Sequence, residues 1–136
     1  MANVTDGARF EQRFCRILAE NGFWVHRMSA NHGGQQPADV IAMHQGTAYL
    51  IDCKVCKDSR FRFERMEPNQ RSAMDLWLEK GGTSPLFALQ DGNGNIWMLD
   101  YLWAVAKEES GISSISCNQG WVFLRPLDDW LEWVVG

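Results

Sequence analysis

No stretch of the 136-residue chain approaches the roughly 18 consecutive apolar residues that a membrane span requires. The opening run, MANVTDGARFEQRF, also lacks the basic-then-apolar layout of a signal peptide. A soluble, cytoplasmic protein with no membrane contact is therefore expected. Cysteine is sparse: Cys15, Cys53, Cys56 and Cys117 form no dense framework, so free thiols in a reducing compartment follow. Internal repeats and low-complexity segments are missing as well. An excess of positive charge is also lacking, since the formal net charge is -4.

That total conceals an uneven distribution, and screening confines each charge to its own neighbourhood. Between Lys54 and Arg71 six bases (Lys54, Lys57, Arg60, Arg62, Arg65, Arg71) stand against three acids (Asp58, Glu64, Glu67). The segment reads either as a solvated loop of mixed charge or as a phosphate-facing patch beside an acidic site.

With 46% hydrophobic and 12% aromatic residues, the chain supports one well-buried core. We expect a single domain over 1–136, with a core at about 7–100 and a C-terminal strand-and-helix extension over 101–136. Phe10, Phe14, Ile17 and Leu18 recur at helical spacing and Asn21-Gly22 ends the stripe, which predicts a first helix. FWVHRM, ADVIAMH and TAYLIDCKV read as strands, the last two joined by a tight turn at Gln45-Gly46. After a basic loop, Pro68 opens a second helix that Gly81-Gly82 closes. PLFALQ and NIWMLDY give two more strands, followed by a short helix at about Leu102 to Glu109, a strand GWVFL and a terminal helix PLDDWLEWVV. The class is α/β, an αβββαβ core with a mixed central sheet flanked by helices.

Polar residues sit inside this apolar pattern. In TAYLIDCKV, period two puts Tyr49, Ile51, Cys53 and Val55 on one face and Leu50, Asp52 and Lys54 on the other. Asp39 opens the preceding strand, so an antiparallel hairpin can bring its carboxylate to Asp52. Two carboxylates about 4 Å apart repel by roughly 4 kcal/mol at an effective dielectric of 20. Either one is protonated or a cation lies between them, and Lys54 balances only one charge. Glu11 borders the apolar stripe of the first helix and therefore needs a partner. Gln70 lies near the start of the second helix, on its packing face, with an amide suited to orienting a water or a phosphate oxygen. Hard oxygen donors with room for water describe a magnesium site built for metal-assisted hydrolysis.

These residues resemble the PD-(D/E)xK nuclease superfamily, and within it the Holliday junction resolvases of archaea, bacteria and phages. Glu11 is similar to the helix-one acid of the family and Asp39, in QPADV, to its first metal-binding aspartate. IDCK, with Asp52 and Lys54, resembles the (D/E)xK half-motif, and Gln70 resembles the helical glutamine that follows it. Ala38 separates Pro37 from Asp39, so the literal PD pair is absent. The likeness runs from about Gly7 to Leu89 and is loose beyond.

The resemblance implies a restriction-endonuclease-like fold and a Mg²⁺-dependent DNA endonuclease, with Mn²⁺ as a substitute ion. Its partner would be DNA, best as a four-way junction, and its working form a homodimer. It further implies Asp39, Asp52, the Cys53 carbonyl and Glu11 at the metal, Lys54 positioning the nucleophile and Gln70 orienting it. Ser29, Lys57, Arg60, Arg62, Arg65 and Arg71 are the candidates for DNA contact. Competing readings are a restriction, repair or replication nuclease acting on flaps or duplex, a silent DNA-binding module, and a plain surface ion pair between Asp52 and Lys54. The Cys53–Cys56 CxxC invites zinc or redox chemistry, but Cys53 lies within a strand and the remaining His and Cys are scattered.

Overall fold

The structure is a computed structural model that describes residues 5–28 and 38–136. Ser29, His32 and Pro37 lie outside the described residues. Helix α1 (Asp6–Glu20) begins at Thr5, whose hydroxyl accepts from the Ala8 amide, and ends at Asn21-Gly22, with Gly22 at φ +87°. Phe10, Phe14 and Leu18 are buried on one side of it. Each contributes about 1.5–3 kcal/mol of apolar burial at most.

Strands β1 (Trp24–Arg27), β2 (Val40–His44) and β3 (Thr47–Val55) form an antiparallel meander. Gln45 (φ 47°) and Gly46 (φ 84°) supply the two left-handed residues that a two-residue hairpin of matching twist needs. Helix α2 (Pro68–Glu79) then crosses over to β5 (Leu86–Gln90), which runs parallel to β3. A parallel pair requires such a crossover, and this one carries α2 across the sheet face that bears Asp52. Strands β6 (Ile96–Asp100) and β8 (Leu124–Pro126) complete a mixed sheet of order β1-β2-β3-β5-β6-β8. Helices α3 (Tyr101–Glu109) and α4 (Leu127–Val135) flank it.

Two apolar layers cover the sheet. One joins α1 and α4 to Val40, Ala42, Ile51 and Ala88, and the other joins α2 and α3 to Leu50, Phe87, Leu89 and Leu99. The alternation expected along β3 is thus present, with Ile51, Cys53 and Val55 facing the first layer and Leu50 facing the second. Trp130 is buried and stacks on Phe23, with ring centroids 5.8 Å apart, whereas Trp133 is exposed beneath Arg125.

Three local expectations need correction. The basic segment is not a plain loop, because it contains strand β4 (Arg60–Arg62) and a 3-10 turn (Phe63–Arg65), with Phe61 and Phe63 fully buried. Its partner is β7 (Ser114–Ser116), more than 50 residues away and absent from the expected elements. GWVFL is not the strand either: the ladder starts at Leu124, while Trp121, Val122 and Phe123 are exposed.

Candidate active site

Asp39 precedes β2 at the point where the β2–β3 ladder ends. The Asp39 amide donates to the Ile51 carbonyl at 3.2 Å, and the next rung is made by its side chain, which accepts from the Cys53 amide at 2.8 Å. In an extended strand the N–H and C=O of one residue point the same way, so the Cys53 carbonyl faces the same gap. Asp52, one residue earlier, is almost wholly buried. Its Oδ2 accepts from Gln70 Nε2 at 3.1 Å and pairs with Lys54 Nζ at 3.2 Å. The Asp39 carboxyl lies close enough to act on that of Asp52.

Burial first, and then the negative charge of Asp39, push the Asp52 carboxyl up to about 8, against the opposing pull of Lys54. The hairpin thus creates the repulsion anticipated from the sequence, and in the absence of a cation protonation relieves it.

Gln70 is doubly engaged. Its Oε1 accepts from the Glu67 amide at 3.3 Å in a capping box at the start of α2, leaving Nε2 for Asp52. Its amide therefore orients a carboxylate, a finer role than the water or phosphate contact expected. Glu11 lies across the sheet edge on α1, close enough to Asp39 that Asp39, after burial itself, raises its carboxyl above the ordinary range. Arg27 Nε holds Glu11 Oε1 at 3.1 Å. Arg27 was not among the expected site residues; its signal was the sole base in FWVHR, on the strand beside the first helix.

The expected DNA contacts divide into two groups. Lys57, Arg60 and Arg62 are exposed, engaged with Asp6 (2.9 Å), Ser114 (3.0 Å) and Asp58 (2.7 Å) respectively. Arg65 and Arg71 are part of the scaffold instead. Arg65 donates to the Val55 carbonyl at 2.9 Å. Arg71 forks onto Glu108 at 2.6 and 2.9 Å and donates to the carbonyls of Met66 and Phe63. Reading the segment as a charge patch misses this, because Glu108 lies 37 residues away.

The donor set fits a hard divalent ion. Two carboxylates and a backbone carbonyl converge, and the burial and repulsion that raise Asp52 are what a cation there would offset. Among the described residues no three His, Cys, Asp or Glu side chains are grouped so as to hold a metal ion, so Asp39 and Asp52 would need the carbonyl, water and substrate to complete a coordination shell. An open site that leaves positions for water and phosphate oxygens accords with that.

A family model for archaeal Holliday junction resolvases (Hjc) matches residues 2–128. This chain belongs to the archaeal Holliday junction resolvase family. Its fold agrees: the structure of Archaeoglobus fulgidus Hjc, a Holliday junction resolvase from an archaeal hyperthermophile, superposes with a TM-score of 0.67 at 14% identity. The match covers 94% of this chain and 99% of that one. No individual curated protein sequence gives a significant match. As a Holliday junction resolvase the protein is a DNA-binding endonuclease of recombination and repair, and resolvases of this family are generally divalent-metal dependent. Among the described residues no helix is long and apolar enough to cross a membrane.

Proposed function

We propose that this resolvase cuts four-way DNA junctions in the cytoplasm as a homodimer of single-domain chains, using Mg²⁺ with Mn²⁺ as a substitute. The ion would be held by Asp39, Asp52 and the Cys53 carbonyl. The observation that carries this reading is the buried Asp52 carboxylate beside Lys54 and Gln70, next to Asp39, whose side chain takes the Cys53 amide. When bound there, a divalent cation neutralises the scissile phosphate and lowers the pKa of an attacking water.

The chain's own residues do the rest. Asp52 in its carboxylate form would be a ligand of that ion, and Gln70, anchored on Glu67, fixes the direction of its carboxyl group. Lys54, with Nζ 3.2 Å from Asp52 Oδ2, positions the water and stabilises charge developing on the phosphoryl oxygens. Glu11, steered by Arg27, acts beside Asp39 directly or through a water. Lys57, Arg60 and Arg62, with Ser29, contact backbone phosphates and set the register of the DNA. Two paired cuts need two such sites, hence the homodimer.

The test incubates the protein with four-way junction, flap and linear duplex, in Mg²⁺ and in chelator, with Lys54→Ala as control. Mg²⁺-dependent cutting of the junction alone is expected. Equal cutting of all three substrates would favour a flap or duplex nuclease, and binding without any cutting in Mg²⁺ would favour a silent module.

A further inference from the structure

The second thiol of the CKVC run has no part in the site above, and its neighbour is not Cys53. Cys53 packs with the α1/α4 layer, whereas Cys56 is buried in the α2/α3 layer. Cys56 opens a turn in which the Ser59 amide donates to the Cys56 carbonyl at 2.9 Å. The Cys117 amide in turn donates to the Ser59 carbonyl at 3.1 Å, continuing the ladder in which Arg60 faces Ser116. The β4–β7 pairing therefore delivers Cys117, 61 residues further along the chain, to the side of Cys56. Both are free and essentially fully buried (1% and 0% exposed) in the same apolar layer, and the Cys117 thiol lowers the pKa of the Cys56 thiol from its ordinary value. Arg65 Nη1 lies 3.7 Å from the Cys56 sulfur and favours its thiolate.

We propose that Cys56 and Cys117 form a modification site, a dithiol that a peroxide or a low-molecular-weight disulfide closes into an intramolecular disulfide stapling the end of β3 to the β4–β7 sheet. With hydrogen peroxide, the Cys56 thiolate attacks the O–O bond, becomes a sulfenic acid and expels hydroxide, which takes up a proton. The Cys117 sulfur then attacks the Cys56 sulfur and water leaves. Two thiols lose two electrons and two protons, and the peroxide is reduced to two waters. A small disulfide reaches the same product by two exchange steps that release two small thiols. Access requires local opening of the two-stranded β4–β7 sheet, whose strands are three residues each. The cross-link closes a long loop and so removes freedom chiefly from the unfolded chain.

The experiment treats the native full-length protein with hydrogen peroxide or oxidised glutathione, then alkylates it and maps the peptides. Expected are loss of two of the four reactive thiols, a peptide pair joining Cys56 to Cys117, and a melting midpoint higher by at least about 5 °C that a reductant reverses. The same cross-link should form in the Cys15→Ser/Cys53→Ser double variant and vanish in Cys117→Ser. A Cys53–Cys56 cross-link, sulfinic acid without any cross-link, a stable mixed disulfide, or four thiols that stay reactive would each overturn the proposal. Mapping on the wild-type chain decides it even where Cys117→Ser fails to fold.

Discussion

Asp52 carries the largest electrostatic cost in the site and so the clearest consequences. Its carboxyl is raised to about 8 in the folded protein from an ordinary value of 3.8. Between those pH values the native state binds a proton that the unfolded chain does not, so metal-free stability falls as pH rises through the window and the loss is complete above about 8. Asp52→Asn should remove this decline while abolishing cleavage. Thermal melts in chelator from pH 4 to 9 check it, and parallel wild-type and variant curves would count against a raised Asp52. Lys54→Ala should lose nearly all cleavage yet keep junction binding, because the lysine acts on charge developing in the reaction; gel-shift and cleavage assays separate the two effects. Gln70→Ala should lower metal affinity or activity by about 10–100-fold, the usual effect of freeing a ligand from its supporting hydrogen bond. The meeting of these residues was legible wherever polar atoms broke a periodic apolar pattern, as Asp52 and Lys54 do on one face of β3. Arg27 was not, because its pairing with Glu11 depends on how β1 docks against α1.

Among the elements, the β2–β3 hairpin could be read from its sequence in its turn and in β3, with β2 starting two residues later than expected, since the positive-φ turn and the alternation that fix its register are local. Strand β4 could not. RFRF does alternate, but its partner β7 is a three-residue segment with no strand signal of its own, supplied only by the tertiary fold. The same long-range docking takes Arg71 out of any DNA-facing patch by seating it on Glu108. Arg71→Ala should therefore destabilise the protein by about 1–3 kcal/mol, through lost charged hydrogen bonds to partly exposed groups. It should leave the salt dependence of DNA binding unchanged. Lys57→Ala should do the reverse, costing little stability and lowering the slope of log K against log salt by about one. Denaturant titration and binding at several salt concentrations distinguish the pair. A salt slope altered by Arg71→Ala and not by Lys57→Ala would invert this assignment.

For the whole molecule, the decisive feature is that one sheet collects groups that are distant in sequence. Antiparallel pairing brings Asp39 to Asp52, the parallel β3–β5 crossover lays Gln70 on the same carboxylate, and α1 adds Glu11 from across the sheet edge. The overall negative charge is no obstacle to DNA binding, since the acids that would repel a phosphodiester are those expected to hold the cation that attracts it. If Asp52 is a ligand as proposed, cation binding displaces its proton. Calorimetry of Mg²⁺ binding at pH 7, repeated in buffers of different ionisation enthalpy, measures that displacement directly. The wild type should release close to one proton per ion bound, and Asp52→Asn should neither bind the ion comparably nor release a proton. Binding without proton release, or binding that Asp52→Asn leaves intact, would contradict the account.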